Sequence, residues 1–176
     1  MARIQLLCIG DELLDGRTLD TNARDVGAWA RRLGHRLVGV STVGDDKARI
    51  VEALRRAVTG CDAVITSGGL GPTLDDLTRD AVADAAGVEL TFDTDSEQRL
   101  RAWFAARQRP MPEINLRQCW FPRGATVLPN PNGTADGWSA KVSGVPVVSL
   151  PGVPRELRGF LEGAVTTLLP SASPRR

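Results

Sequence analysis

Asp62-Ala-Val-Ile-Thr-Ser67 runs without a break into Gly68-Gly69-Leu70-Gly71-Pro72-Thr73-Leu74-Asp75-Asp76. A short apolar run ending in glycines reads as a buried strand followed by a tight turn. Helical spacing returns over residues 76–86, and Gly87 is a natural helix stop. The same rhythm lies upstream. Residues 3–9 read as a strand ended by Gly10, and residues 21–33 as a helix with Val26, Trp29, Ala30 and Leu33 on one face. Residues 36–43 read as a second strand, and residues 47–59 as a helix burying Ile50, Leu54, Ala57 and Val58. Such alternation specifies an α/β fold of three layers, α/β/α, around a mostly parallel, doubly wound sheet.

The rhythm changes after Leu90. A helix is expected over residues 95–108, stopped by Arg109-Pro-Met-Pro112, then a long excursion over residues 113–137 rich in Pro, Gly and Asn. Strands near residues 138–142 and 145–150 flank Ser143-Gly144, a hairpin turn. A last helix opens at Pro151-Gly-Val-Pro154. The expected organisation is one domain over residues 1–170 with a loose tail over 171–176.

Composition narrows the function classes. The chain has 22 basic and 21 acidic residues for a net charge of +1, and its arginines are scattered, which argues against a nucleic-acid footprint. Cys8, Cys61 and Cys119 are odd in number and far apart, fitting a reducing cytoplasm better than a disulfide framework. The apolar run Ile4–Ile9 is too short for a signal-peptide core or a membrane span. A cytoplasmic protein with no membrane partner is expected.

In open α/β sheets ligands bind beyond the carboxyl ends of the strands. Four loops fall on that rim: Gly10-Asp11-Glu12-Leu13-Leu14, Val43-Gly44-Asp45-Asp46-Lys47, the glycine loop from Thr66 to Asp76, and Leu150-Pro-Gly-Val-Pro-Arg-Glu156. The glycines let the backbone approach an anion, and a following helix N-terminus would favour one. The third glycine of a dinucleotide fingerprint is missing, with Leu74 in its place, and no Gly-Lys-Ser/Thr follows as in a P-loop. A plain glycine turn would explain the loop alone, and Asp45, Asp46, Asp75 and Asp76 each precede a helix where an acid caps. Carboxylates gathered beside an anion site, however, point to a divalent cation of the magnesium or manganese type and to chemistry on a phosphate. His35, the only histidine, sits just past a helix end, and no nucleophile elbow accompanies it. The four tryptophans are expected to serve mainly as packing, with Trp138 nearest the rim.

These motifs resemble the N-terminal domain of the CinA family. The resemblance rests on Gly10-Asp-Glu-Leu-Leu14 with Gly16 and Asn22, Val43-Gly-Asp-Asp46, Gly68-Gly-Leu-Gly-Pro-Thr73-x-Asp-Asp76, Arg109-Pro-Met-Pro-Glu113, Asn130-Pro-x-Gly-Thr-Ala135 and Pro151-Gly-Val-Pro154-x-Glu156. It covers about residues 3–165 and extends to the molybdopterin-binding fold of MogA and MoaB. It implies metal-dependent hydrolysis of ADP-ribose, or a related nucleoside diphosphate derivative, to AMP and ribose 5-phosphate. The alternatives are a molybdopterin-binding or adenylylating protein and a non-catalytic nucleotide-binding module. By motif, Asp76 and Asp45 take the catalytic positions, and together with Glu12 the metal positions. Gly10, Asp11, Glu12, Asn22, Gly68, Gly69, Leu70, Gly71, Pro72, Thr73, Asn130, Gly133, Thr134, Pro151 and Gly152 take the substrate positions. The implied cofactors are a divalent ion of the magnesium, manganese or cobalt type and a monovalent cation; the implied partners are a nucleotide or pterin and a second or third copy of the chain.

Departures accompany the resemblance. Ile114 stands in place of a usual Asn, Asp136 in place of a common Pro, and Leu70 where MogA-like proteins have Thr. CinA proteins also carry a C-terminal domain that hydrolyses the amide of nicotinamide mononucleotide. The chain is expected to be a stand-alone domain without that activity.

Overall fold

In the computed structural model, residues 1–169 are described. The tail expected over residues 171–176, and the last residue of the expected domain, lie outside them.

The chain runs β1 (Arg3–Ile9), α1 (Asp11–Leu14), α2 (Asn22–Arg32), β2 (Arg36–Val43), α3 (Lys47–Ala57), β3 (Ala63–Ser67) and α4 (Thr78–Ala86). There follow β4 (Leu90–Phe92), α5 (Thr94–Ala105), a 3-10 turn (Glu113–Cys119), β5 (Trp120–Pro122) and β6 (Thr126–Leu128). The hairpin β7 (Gly137–Val142) and β8 (Val145–Leu150) leads into α6 (Pro154–Phe160), which continues through a π-helical turn (Leu161–Val165) into α7 (Thr166–Leu168). Six strands form one sheet in the order β2-β1-β3-β8-β7-β6, with β4 and β5 paired apart from it. The pairs β2–β1, β1–β3 and β3–β8 are parallel, and β8–β7 and β7–β6 antiparallel.

Side-chain alternation makes the layers. On β1, Ile4, Leu6 and Cys8 pack with Val26, Trp29, Leu157, Phe160 and Val165 from α2, α6 and the π turn. Leu7 and Ile9 face the other way, against Ile50, Leu54, Ala81 and Val82 from α3 and α4. A strand apolar on both faces is what a parallel sheet covered on both sides requires. The expected three-layer α/β/α architecture is therefore observed.

The hairpin forms where Ser143-Gly144 predicts it, both residues having positive φ (50° and 81°) as a type I′ turn demands. Helix ends differ in places. The helix expected over residues 95–108 spans Thr94–Ala105, capped by the Asp93 carboxylate, which accepts from Ser96 N at 2.6 Å. The one expected from residue 76 begins at Thr78. Trp29 and Trp138 are buried as expected, whereas Trp120 on the small β4–β5 ribbon is exposed, its edge against Phe92. None of the described helices is long and apolar enough to cross a membrane.

Candidate functional site

Four parallel strands end on one rim, and the antiparallel β7 begins there, because Trp138 pairs with Ser149 near the end of β8. The loops at this rim enclose a cleft of about 510 Å³, a size that suits a small-molecule ligand.

The glycine loop forms its floor, and its shape is set from behind. The carbonyl of Gly68 accepts from Thr78 Oγ1 at 2.8 Å, and that of Gly69 from Thr78 N at 3.3 Å. The next two are taken by one guanidinium: Arg79 Nη2 donates to Leu70 O at 2.7 Å and Nη1 to Gly71 O at 3.1 Å. Four consecutive carbonyls thus point toward α4. In a trans peptide the N–H points opposite to the carbonyl, so the amides of Gly69 and Leu70 are turned to the cleft side, without a hydrogen-bond partner among the described residues. The Gly71 amide is taken instead by Asp76 Oδ1 at 2.8 Å, while Asp76 Oδ2 accepts from Thr73 N at 2.8 Å and Thr73 Oγ1 at 2.6 Å. Asp76 therefore staples the loop closed. The helix N-terminus expected to meet an anion faces the loop's carbonyls instead, so the amides turned to the cleft belong to the loop itself.

Arg79 is 3% exposed and has no carboxylate within salt-bridge distance among the described residues. Burial lowers its pKa, opposed by the negative charge of Asp76 and Asp80. The guanidinium lies directly beneath the amides turned to the cleft.

On the β1–β2 side, Asp11 N donates to Asp45 Oδ2 and Asp45 N to Asp11 Oδ1, each at 3.1 Å, locking the two loops together. Asp46 caps α3, accepting from Arg49 N at 2.9 Å. Glu12 and Asp45 line the cleft. Burial pushes the Asp45 carboxyl above the usual range, and the charges of Asp11, Glu12 and Asp76 push it further, against the one backbone hydrogen bond that lowers it.

On the β8–β7 side, Gly152 packs against Gly68 so closely that an added Cβ would lie 3.3 Å from the Gly68 Cα. Asn22 clamps the two strand ends from behind, Nδ2 donating to Ser67 Oγ and to Gly152 O at 2.8 Å each. Glu156 projects from the first turn of α6, its Oε2 accepting from Asn130 Nδ2 at 2.6 Å.

Of the residues singled out from sequence, Gly10, Glu12, Asp45, Gly68, Gly69, Leu70, Gly71, Pro72, Thr73, Asp76, Thr134, Pro151 and Gly152 line the cleft together. Asp11, Asn22, Asn130 and Gly133 lie behind the lining, the first three holding residues that do line it. Glu156 and Ala135 stand in quoted motifs without a site role, and Gln118 stands in none; all three line the cleft. Gln118 lies in the 113–137 excursion and carries no local motif of its own. Among the described residues, no three His, Cys, Asp or Glu side chains gather closely enough to form a closed metal shell.

The family model described as "Probable molybdopterin binding domain" matches residues 5–171. The chain belongs to this molybdopterin-binding family. Within it, a CinA-like protein of Thermomicrobium roseum is 46% identical over 167 residues, covering 94% of this chain and 41% of the relative. One of Desulfovibrio desulfuricans is 45% identical over 170 residues, covering 95% and 39%. The chain thus spans about two fifths of the length of these relatives. The crystal structure of the protein CinA, of unknown function, from Thermoplasma acidophilum superposes with a TM-score of 0.85 at 32% identity, covering 94% of this chain and 97% of that one. The molybdopterin biosynthesis enzyme MoaB of Thermus thermophilus shares the fold, with a TM-score of 0.65 at 24% identity over 97% and 92% of the two chains.

Proposed function

We propose that the chain is a metal-dependent nucleotide pyrophosphatase that hydrolyses ADP-ribose to AMP and ribose 5-phosphate. The observation that carries this reading is the glycine loop: two free amides over a buried guanidinium, with carboxylates along the same rim. Amides fixed in advance stabilise charge without reorganising as it develops.

In this reading the Gly69 and Leu70 amides bind the pyrophosphate, and Asp45 takes a proton from the attacking water. The water oxygen bonds to one phosphorus, and the bond from that phosphorus to the bridging oxygen breaks. The electron pair leaves on the departing phosphate, whose charge the loop amides and Arg79 offset. A carboxylate whose pKa is raised is a stronger base than an exposed one, which suits Asp45 to that role.

A divalent ion fits the donor set in one way. Hard oxygen ligands line the rim without a closed protein shell among the described residues, as for magnesium held by one or two carboxylates plus substrate phosphates. Asp76 and Glu12 would hold it, leaving Asp45 for the proton. The ion supplies charge neutralisation at the phosphates.

The test is incubation of the purified chain with ADP-ribose and a divalent ion. Equal amounts of AMP and ribose 5-phosphate are expected, and no AMP with any of magnesium, manganese or cobalt overturns the reading. The family's description favours one second reading, molybdopterin binding. Tight molybdopterin binding without AMP release would select it.

A further inference from the structure

The rim order places the two acidic flanks of the cleft on opposite sides of the glycine loop. Glu12 and Asp45 follow β1 and β2, on one side of β3; Glu156 and Thr134 lie by β8 and β7, on the other. An anion cradle in the middle with polar groups at both ends fits a ligand with a pyrophosphate centre and two arms. The β8–β7 end is built differently from the other. Its polar lining side chains are a carboxylate, a hydroxyl and an amide, each oriented by a hydrogen bond, and among the described residues no basic side chain lines the cleft there.

The orientation is specific. Asn130 is 9% exposed and spends both amide hydrogens, one on Ala135 O at 2.9 Å and the other on Glu156 Oε2. Its own backbone amide is held by Asp136 Oδ1 at 2.8 Å, and Asp136 is anchored in turn by Arg99 Nη2 at 2.7 Å. Gln118, 4% exposed, accepts on Oε1 from Asn115 Nδ2 at 3.0 Å and donates from Nε2 to Thr134 Oγ1 at 3.3 Å. Three functions are left over at the cleft: the second oxygen of Glu156, the hydroxyl hydrogen of Thr134 and the remaining amide hydrogen of Gln118. That is one acceptor and two donors. A fixed carboxylate repels a phosphate, so the complementary group is neutral and both donates and accepts. Vicinal hydroxyls of a sugar do this, and carboxylates serve ribose hydroxyls in the same way elsewhere.

We infer that Glu156, Thr134 and Gln118 form a sugar subsite that takes the vicinal diol of one ribosyl arm, with Asn130 as the residue that positions Glu156. This deepens the pyrophosphatase reading and rests on it. Asp136, held by Arg99, fixes the Asn130 backbone behind this subsite.

The experiment is calorimetric binding of two probes to the whole chain: inorganic pyrophosphate, which fills the anion cradle alone, and ADP-ribose. Glu156→Gln and Thr134→Val are each expected to weaken ADP-ribose at least tenfold while pyrophosphate changes less than twofold. Asn130→Ala should match Glu156→Gln, and Asn130→Gln should not rescue it, since the longer side chain displaces the amide. Matched far-ultraviolet circular dichroism and melting temperature show that the variants fold. Equal weakening of both probes, or of neither, overturns the subsite. ADP-ribose that binds with this dependence but releases no AMP leaves the subsite standing and removes the pyrophosphatase reading. Failure of the wild-type chain to bind ADP-ribose removes both.

Discussion

Asp45 is partly buried, with the charges of Asp11, Glu12 and Asp76 around it, and its carboxyl holds its proton more tightly in the folded state than in the unfolded chain. Raising the pH through that folded-state pKa therefore costs stability, since ionisation is easier once the chain unfolds. Asp45→Asn removes the charge and keeps an oxygen for the Asp11 amide. Its melting temperature should rise by about 1–3 °C at pH 7 while turnover falls at least 100-fold, a trade expected where a strained group does chemistry. The acid limb of kcat/KM should lie above the ordinary carboxylate range of about 4. A variant less stable than wild type, or a limb at or below 4, contradicts the role. Arg79 makes the complementary case, because its charge lies under the loop and not in the cleft. Removing the guanidinium leaves the Leu70 and Gly71 carbonyls without their donor, which costs about 1–3 kcal/mol for each buried acceptor left unpaired. Arg79→Met should therefore melt several degrees lower and lose at least tenfold in pyrophosphate affinity. Arg79→Lys should recover part of that affinity by restoring charge without the two-carbonyl fork; wild-type affinity in the Met variant would exclude an electrostatic role. From sequence, Asp45 was legible as a rim acid because its position after a strand fixes where it lies. Arg79 was not, since an arginine inside a helix reads as solvated until the fold closes over it.

At the scale of elements, the strand–loop–helix unit from Ala63 to Ala86 carries the site, and its weakest substitution point is the first glycine. Gly68 has φ of 107°, and a Cβ there would meet the carbonyl oxygen of Ile9, a backbone atom that cannot swing aside. Positive φ alone costs about 1–3 kcal/mol for a residue with a side chain. Gly68→Ala should thus lower the unfolding free energy in urea by more than about 2 kcal/mol, while Gly60→Ala, in open space, should change it by less than about 1 kcal/mol. Equal effects would mean that the close approach to β1 is not what the glycine serves. The strand and the glycine turn were legible because periodicity and glycine are local signals. The sequence places the helix start at Asp76 because acids before an apolar stretch look like caps; the carboxylate instead accepts from the loop amides five and three residues earlier. The excursion over residues 113–137 hid Gln118 for a related reason: its place at the rim depends on Asn115 and Thr134, and the Thr134 contact joins residues 16 apart.

For the whole molecule, the cleft is where otherwise separate parts of the sheet meet. Loops from β1, β2, β3, β7 and β8 all contribute lining residues, so a ligand that fills it ties together segments from Gly10 to Glu156. Anything that binds only the folded state stabilises it by mass action, about 2.7 kcal/mol at a ligand concentration of 100 times Kd. For a chain of this size, where 1 kcal/mol moves the melting temperature by about 2–4 °C, ADP-ribose at that concentration should raise it by about 5–10 °C. Pyrophosphate at its own 100-fold excess should give a similar shift, because the linkage depends on occupancy and not on which contacts supply it. The two ligands should differ in where they slow hydrogen exchange. Pyrophosphate should protect the Gly69 and Leu70 amides, whereas ADP-ribose should extend protection to the 130–136 loop and the first turn of α6. Protection by ADP-ribose confined to the glycine loop would show that its arms project into solvent and that the cleft recognises a phosphate alone. Protection reaching Asn130 and Glu156 would place one arm against the β8–β7 flank, which pyrophosphate cannot reach.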